Sequence, residues 1–193
     1  MKHWYFVFLF IFFFTATASA QSDKLTEFNQ ERLQINKIGM LTLGGWALGN
    51  IAVNGLLTRN ASGSTKYFYQ GNIYWNLVNL GLAGFGYFAA TGGDPASYNL
   101  TESLKEFYSI QKILLFNAGL DVAYITGGFF LKERAKNTAT RRDMFTGFGN
   151  ALILQGGFLL AFDIAMFLIH NANADFLNNI SLSSNGLGMV IKF

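Results

Sequence analysis

Four long apolar stretches limit what this chain can fold into more than any other feature. They run Ile38–Leu57, Ile73–Ala90, Ile113–Leu131 and Phe148–Ile169. Each has about 18 to 22 residues, the length a helix needs to cross a hydrocarbon core about 30 Å thick. None shows the period-two alternation of a membrane strand. Charged residues make up 13 % of the chain and hydrophobic residues 51 %, against about 25 % charged in soluble domains. The pattern predicts an all-α fold, a membrane four-helix bundle built from one domain over residues 21–193.

The first twenty residues have a different character. Lys2 and His3 precede an eleven-residue apolar run, Trp4–Phe14, and Ala18-Ser19-Ala20 supplies a small-x-small cleavage pattern. Residues 1–20 therefore read as a signal peptide cut before Gln21. The weaker reading is an uncleaved fifth span, for which eleven residues reach only about 16 Å. Cleavage would put the mature N-terminus outside, so the first and third loops would face the cytoplasm. Those loops hold Arg59, Lys66, Lys132, Arg134, Lys136, Arg141 and Arg142 against two acids, Glu133 and Asp143. The external segments hold seven acids: Asp23, Glu27, Glu31, Asp94, Glu102, Glu106 and Asp175. That asymmetry follows the positive-inside rule. It predicts a multi-pass protein of a bacterial inner membrane with both termini periplasmic. The basic third loop reads first as a topology determinant and second as a contact for anionic head groups.

The motif Glu-x-x-x-Ile-Asn/Gln-Lys-Ile occurs at Glu31–Ile38 and again at Glu106–Ile113, and Gly-Asn opens the following helix at Gly71-Asn72 and Gly149-Asn150. We read two tandem helical hairpins related by an axis along the membrane normal. Each half starts with a candidate amphipathic helix outside the membrane, the first of which has an outward extension of the span as its alternative. The second has capping-box spacing at Asn99 and Glu102. After the last span, Asn185-Gly186 between short apolar-rich runs signals a β-hairpin-like tail.

Without a hydrophobic drive between helices, membrane bundles rely on small residues for close packing. Gly45 with Gly49, and Gly119 with Gly127 through Ala123, have small-xxx-small spacing and are the candidate packing residues; Gly147 with Ala151 repeats the spacing. Polar residues inside spans are the costly ones. Asp121 and Asp163 are the only acids there, and a central acid costs about 2.5–3.5 kcal/mol on insertion scales. At about 1.5 Å per residue, Asp121, Asn50, Asn79 and Gln155 fall at similar depth, one per helix. Asp163 falls about 9 Å further out on the same count, level with Asn117. Lys37 and Lys112 are the candidate charge partners for Asp163. This intramembrane polar network first suggests fixed helix register, and second a proton or solute path.

Several of these residues lie in longer motifs: Leu43-Gly44-Gly45-Trp46-Ala47, Trp75-Asn76-x-Val78-Asn79, Leu115-Phe116-Asn117-Ala118-Gly119-Leu120-Asp121, and Gln155-Gly156-Gly157-Phe158-Leu159-Leu160-x-Phe162-Asp163. Together with Asn36-Lys37-x-Gly39-Met40 and Lys66-Tyr67-Phe68, the set resembles an uncharacterised family of small Bacteroidota membrane proteins, a domain of unknown function. The resemblance implies a four-helix membrane architecture and supplies no activity.

The composition excludes more than it selects. There is no Cys, and the two histidines are His3 and His170, so thiolate or histidine metal sites and cysteine nucleophiles are not supplied. No cofactor, metal or catalytic set is expected. The net charge of +3 is small and scattered, which argues against nucleic acid. The expected surroundings are the lipid bilayer and either a second copy of the chain or another membrane protein. The leading expectation is a non-enzymatic structural, accessory or scaffold component. The alternative is a small proton- or solute-coupled transporter or channel around Asp121. A lipid-modifying enzyme using both acids is the weakest reading.

Overall fold

The structure is a computed structural model that describes the backbone of residues 3–174, 180–183 and 186–189, and side chains from residue 23 to residue 174. Four long helices form it: α1 (His3–Leu57), α2 (Gly63–Gly92), α3 (Leu100–Lys136) and α4 (Arg142–Ala172). The fold class is all-α, and each of the four predicted apolar stretches lies inside one of these helices. Short 3₁₀ turns, Thr58–Asn60 and Pro95–Ser97, sit in the first two connections. Gly63 enters α2 with φ +55°, a conformation that only glycine adopts without steric cost.

The helix boundaries have local causes. Asn99 caps α3 by accepting from the Glu102 amide at 3.0 Å, while Glu102 Oε2 accepts from the Asn99 amide at 2.9 Å. This reciprocal pair satisfies two amide groups that the first turn leaves free. Asp94 Oδ1 accepts from the Ala96 amide and Pro95 opens the 3₁₀ turn, so α2 and α3 are separated by a sharp corner. The segments expected as amphipathic helices do not lie apart from the spans. They are the outer turns of α1 and α3, and they pack on each other: Phe28 meets Phe107 edge-on at 6.1 Å, with Ala174 and Leu25 beside them.

α1 packs mainly on α2, α2 on α4 and α4 on α3. The buried residues of α3 include Phe107, Leu114, Asp121, Gly128 and Ala135, and those of α4 include Gly149, Gly156, Asp163 and His170. Both stripes advance by seven, the spacing that keeps one seam facing a partner helix. α2 carries two such stripes, Asn72 with Asn79 and Asn76 with Ala83 and Ala90.

Three helices are long and apolar enough to cross a membrane: the parts of the chain within Asp23–Asn60, Leu100–Lys136 and Arg142–Ala172. α2 was expected as a fourth. It falls below the others in hydropathy because Gln70, Asn72, Asn76 and Asn79 interrupt its apolar run. The backbone of α1 runs through the expected cleavage site at Ala20; the side chains of the leader lie outside the described residues. Beyond Ala174, Ile180–Ser183 and Gly186–Met189 pair antiparallel; Asn185 of the expected turn lies outside the described residues, the β-hairpin-like tail is not supported, and the fold class is all-α.

Candidate functional site: the polar interior

The interior is unusual in what it contains. Among the described residues, twelve buried polar or charged ones stand beside twelve buried hydrophobic ones, and six of the latter are alanines. Meanwhile Leu56, Leu82, Phe85, Phe88, Phe116 and Phe130 are exposed, Phe85 to 79 % and Phe88 to 73 %. A water-soluble bundle has the opposite arrangement.

Gln155 is the hub of the central layer. It is fully buried, accepts from Trp46 Nε1 at 3.0 Å, and donates to Asn72 Oδ1 at 2.6 Å and to Asn50 Oδ1 at 3.4 Å. One side chain of α4 thus ties α1 and α2 together. The Trp46 ring lies flat on Phe158 at 3.8 Å, which fixes the direction of its N–H. The asparagines on α1 and α2 also satisfy backbone: Asn50, Asn54, Asn72 and Asn76 each donate to the carbonyl four residues earlier. The structure therefore joins Asn50 and Gln155 as expected by depth. Asn79 is buried but does not join them, and its Nδ2 has no partner among the described residues. Asn72 takes its place.

Asp121 does not belong to that layer. Across the α3–α4 seam its carboxyl lies close enough to Asp163 for the two to interact, while Asp121 Oδ2 has no hydrogen-bond partner among the described residues. The expected vertical gap of about 9 Å was counted along helix axes alone. Side chains lean toward the N-terminus of their own helix. In antiparallel α3 and α4 those leanings point toward each other, so the two carboxyls converge. The structure also corrects the expected charge partners. Neither Lys37 nor Lys112 forms an ion pair with Asp163 among the described residues. Among the described residues the ion pair is Lys136 with Glu133, at 2.6 Å on the surface. Asn117 is half-buried beside this region.

Of the glycines expected to pack helices, Gly147 does so, as does its spacing partner Ala151, but the other four do not. At Gly45, Gly49, Gly119 and Gly127 an added Cβ would meet nothing within 4 Å. The close approaches are elsewhere. A Cβ at Gly128 would stand 2.6 Å from the Gly149 carbonyl oxygen, and one at Gly149 would stand 2.7 Å from the Gly128 carbonyl oxygen. Gly147 and Gly71 play the corresponding part between α2 and α4, with a Cβ on Gly71 meeting Ala151 at 2.8 Å. Spacing by four does not say which side of a helix faces a partner. The seven-residue stripe does, and Gly119 and Gly127 lie off it.

A third polar cluster sits at the outer end, and the depth argument did not reach it. Asn29, Ser103 and His170 are fully buried, and Arg32 is 2 % exposed. Asn29 Nδ2 donates to Ser103 Oγ at 2.8 Å, and its Oδ1 accepts from Arg32 Nε and Nη2 at 3.4 and 3.3 Å. The Arg32 guanidinium lies 4.9 Å above the Tyr98 ring. His170 Nε2 is 2.8 Å from Asn36 Oδ1. The signal in the sequence was Asn29, Arg32 and Asn36 at spacings of three and four, one helix face.

Among the described residues no group of three or more His, Asp or Glu side chains is placed to hold a metal ion. Nor does a nucleophile stand beside the acid pair. What the fold and interior define is a helical bundle with a polar core, an apolar exterior and three helices able to cross a membrane. The chain belongs to a family of unknown function, DUF6992, whose model matches residues 42–164, more than half of the chain. No curated protein and no solved structure matches it.

Proposed function

We propose that this chain is a four-span integral membrane protein without catalytic activity, a structural or accessory component that works through its helix faces. The observation that carries this reading is the inverted distribution of polarity. On α2 the buried residues are Asn72, Asn76, Asn79, Ala83 and Ala90, while Tyr74, Leu77, Val78, Leu82, Phe85 and Phe88 are exposed. The hydropathy average treats the asparagines as if they met lipid. Inside the bundle they do not, and the face that remains is as apolar as those of the other helices. α2 is therefore the fourth span. An even number of spans then puts Thr58–Asn60 and the α3–α4 connection on one side, with the basic residues, and Pro95–Ser97 on the other. With the leader this supports an inner-membrane protein whose termini face the periplasm. Two tandem hairpins are supported by the helix order, in which α2 and α4 meet at the centre and α1 and α3 flank them.

The absence of cysteine makes the test clean. Single cysteines at Ser62 and Ser97, both exposed, are labelled in intact cells by a membrane-impermeant maleimide. Four spans predict that Ser97→Cys is labelled from outside and Ser62→Cys only after permeabilisation. Labelling of both from one side shows that α2 does not cross.

A second reading rests on the contact between Asp121 and Asp163. A shared proton between two buried carboxyls is a site that can load and release a proton. This reading makes the pair the centre of a proton-coupled path, and pH-driven proton flux in proteoliposomes that Asp121→Asn abolishes is its signature.

A further inference from the structure

The cluster at the outer end contains a charge with no counter-charge. Arg32 is 98 % buried, as its 2 % exposure states, yet no carboxylate lies within 4 Å of it among the described residues. Its neighbours are neutral: the Asn29 amide, through two long hydrogen bonds to one oxygen, and the Tyr98 ring. A buried cation of this kind is normally paired with an anion.

The second unmet group is His170. Its Nε2 faces the Asn36 carbonyl oxygen and so carries the proton. In the neutral ring Nδ1 is then a bare lone pair, fully buried and without a partner among the described residues. Arg32 and Asn36 are one turn apart on α1, so the imidazole held by Asn36 stands beside the guanidinium. Burial, and after it the charge of Arg32, holds the His170 imidazole well below its ordinary pKa, at about 4, so the ring is neutral.

The acids nearby are turned away. Glu27, Glu31 and Gln34 line a groove of about 590 Å³ with Ala172 and Asn173. At about 100° per residue these positions lie on the face of α1 opposite Asn29, Arg32 and Asn36. A negative ligand at Arg32 therefore meets no carboxylate repulsion from that helix face.

We propose that Arg32 and His170 form an oxyanion site at the outer end of the bundle, whose ligand is a phosphate group that carries or adjoins a hydroxyl. The guanidinium supplies donors to the anionic oxygens. His170 Nδ1 accepts from the hydroxyl, which a bare carboxylate or sulfate does not offer. Asn29 and Ser103 set the guanidinium in place. Two sources present this chemistry: a phospholipid head group such as phosphatidylglycerol, and free hydrogen phosphate. The head-group source rests on the membrane reading above, since it places the cluster one to two turns beyond the start of the first span.

The full chain, purified in detergent, is titrated with inorganic phosphate at ionic strength held constant with chloride. In parallel it is examined by native mass spectrometry from nanodiscs of phosphatidylglycerol and of phosphatidylcholine. We expect saturable phosphate binding, selective retention of phosphatidylglycerol, or both. Phosphate alone identifies the soluble anion and retained phosphatidylglycerol alone the head group; either upholds the site. Arg32→Gln is expected to weaken binding at least about 30-fold, the low end for losing one partner of a buried charge pair. Arg32→Lys keeps the charge without the fork and should bind at an intermediate level, which separates lost binding from lost fold. The proposal is overturned by a wild-type protein that binds neither probe. Undiminished binding by folded Arg32→Gln overturns it too. Carbonate extraction of membranes tests the membrane reading separately, because a chain that stays in the pellet without binding either probe fails only the site.

Discussion

Gly128→Ala should destabilise the bundle more than any other single-methyl addition along α3. The new Cβ would stand 2.6 Å from the Gly149 carbonyl oxygen and 2.7 Å from Ile153 Cγ1. Real Cβ atoms keep at least 3.0 Å, and the obstructing atom here is backbone, which no rotamer change moves aside. The α3–α4 seam must therefore open by several tenths of an ångström. Overpacking of this kind costs about 1–3 kcal/mol, and a small intrinsic helix gain of up to about 1 kcal/mol for Gly→Ala offsets part of it. Gly119→Ala, nine residues earlier on the same helix and with open space at the Cβ, gets the propensity gain alone. The two variants should move the unfolding midpoint in opposite directions in a dodecyl-sulfate titration of mixed micelles. Because Gly128 and Gly149 each face the other's carbonyl, adding Gly149→Ala to Gly128→Ala should cost less than it does alone. If Gly128→Ala unfolds at or above the wild-type midpoint while Gly119→Ala falls below it, the assignment of the seam is wrong.

Further consequences follow from the polar interior. Gln155→Leu removes the bonds to Trp46 and Asn72 and strands both partners; at about 0.6 to 1.7 kcal/mol per interhelical bond, the same titration should show a loss of about 1–3 kcal/mol. Gln155→Glu keeps an acceptor for Trp46 but sets oxygen against Asn72 Oδ1, so it should recover only part of that loss, and full recovery would show that the Asn72 bond contributes nothing. Asp163→Asn can donate to Asp121 and should fold like wild type, whereas Asp163→Leu leaves a lone buried carboxyl and should not; equal stability of the two would remove the carboxyl contact. Asn79→Leu, at an amide whose nitrogen has no partner among the described residues, should be neutral or stabilising in the same assay.

The helices were legible because their cause is local. Long apolar runs, the Asn99–Glu102 capping box and the Gly-rich and Pro-marked corners each act within a few residues. The order in which helices pack was legible only as far as the repeat suggested it. Hydropathy sets α2 below the other three, and for a physical reason: an average over a window weights every side chain as though it met the solvent, while Asn72, Asn76 and Asn79 are buried. The better signal was already in the chain. A seven-residue stripe through Phe107, Leu114, Asp121, Gly128 and Ala135 marks the buried side of α3, and small-xxx-small spacing, which recurs on every side of a glycine-rich helix, does not.

The polar residues show the limit of reasoning by depth. Counting residues from a membrane face locates a Cα on the helix axis, and it brought Asn50 to the level of Gln155. It separated Asp121 from Asp163 because it ignored the lean of side chains toward their own N-termini, which adds between antiparallel neighbours where it cancels between parallel ones. The outer cluster escaped for a different reason. Arg32 looked like one of several external charges on a solvated helix end, and nothing within its own helix buries it. What buries it is Tyr98 from the α2–α3 corner, Asn29 held by Ser103 of α3, and the end of α4 that carries His170. The contacts between helices, Arg32 with Tyr98, Asn29 with Ser103 and Asn36 with His170, span 66 to 134 residues of sequence separation, so they depend on the folded bundle. A charge that becomes buried only through such distant contacts is the kind of feature that local pattern leaves invisible, and it is where an unpaired group most directly points to something outside the chain.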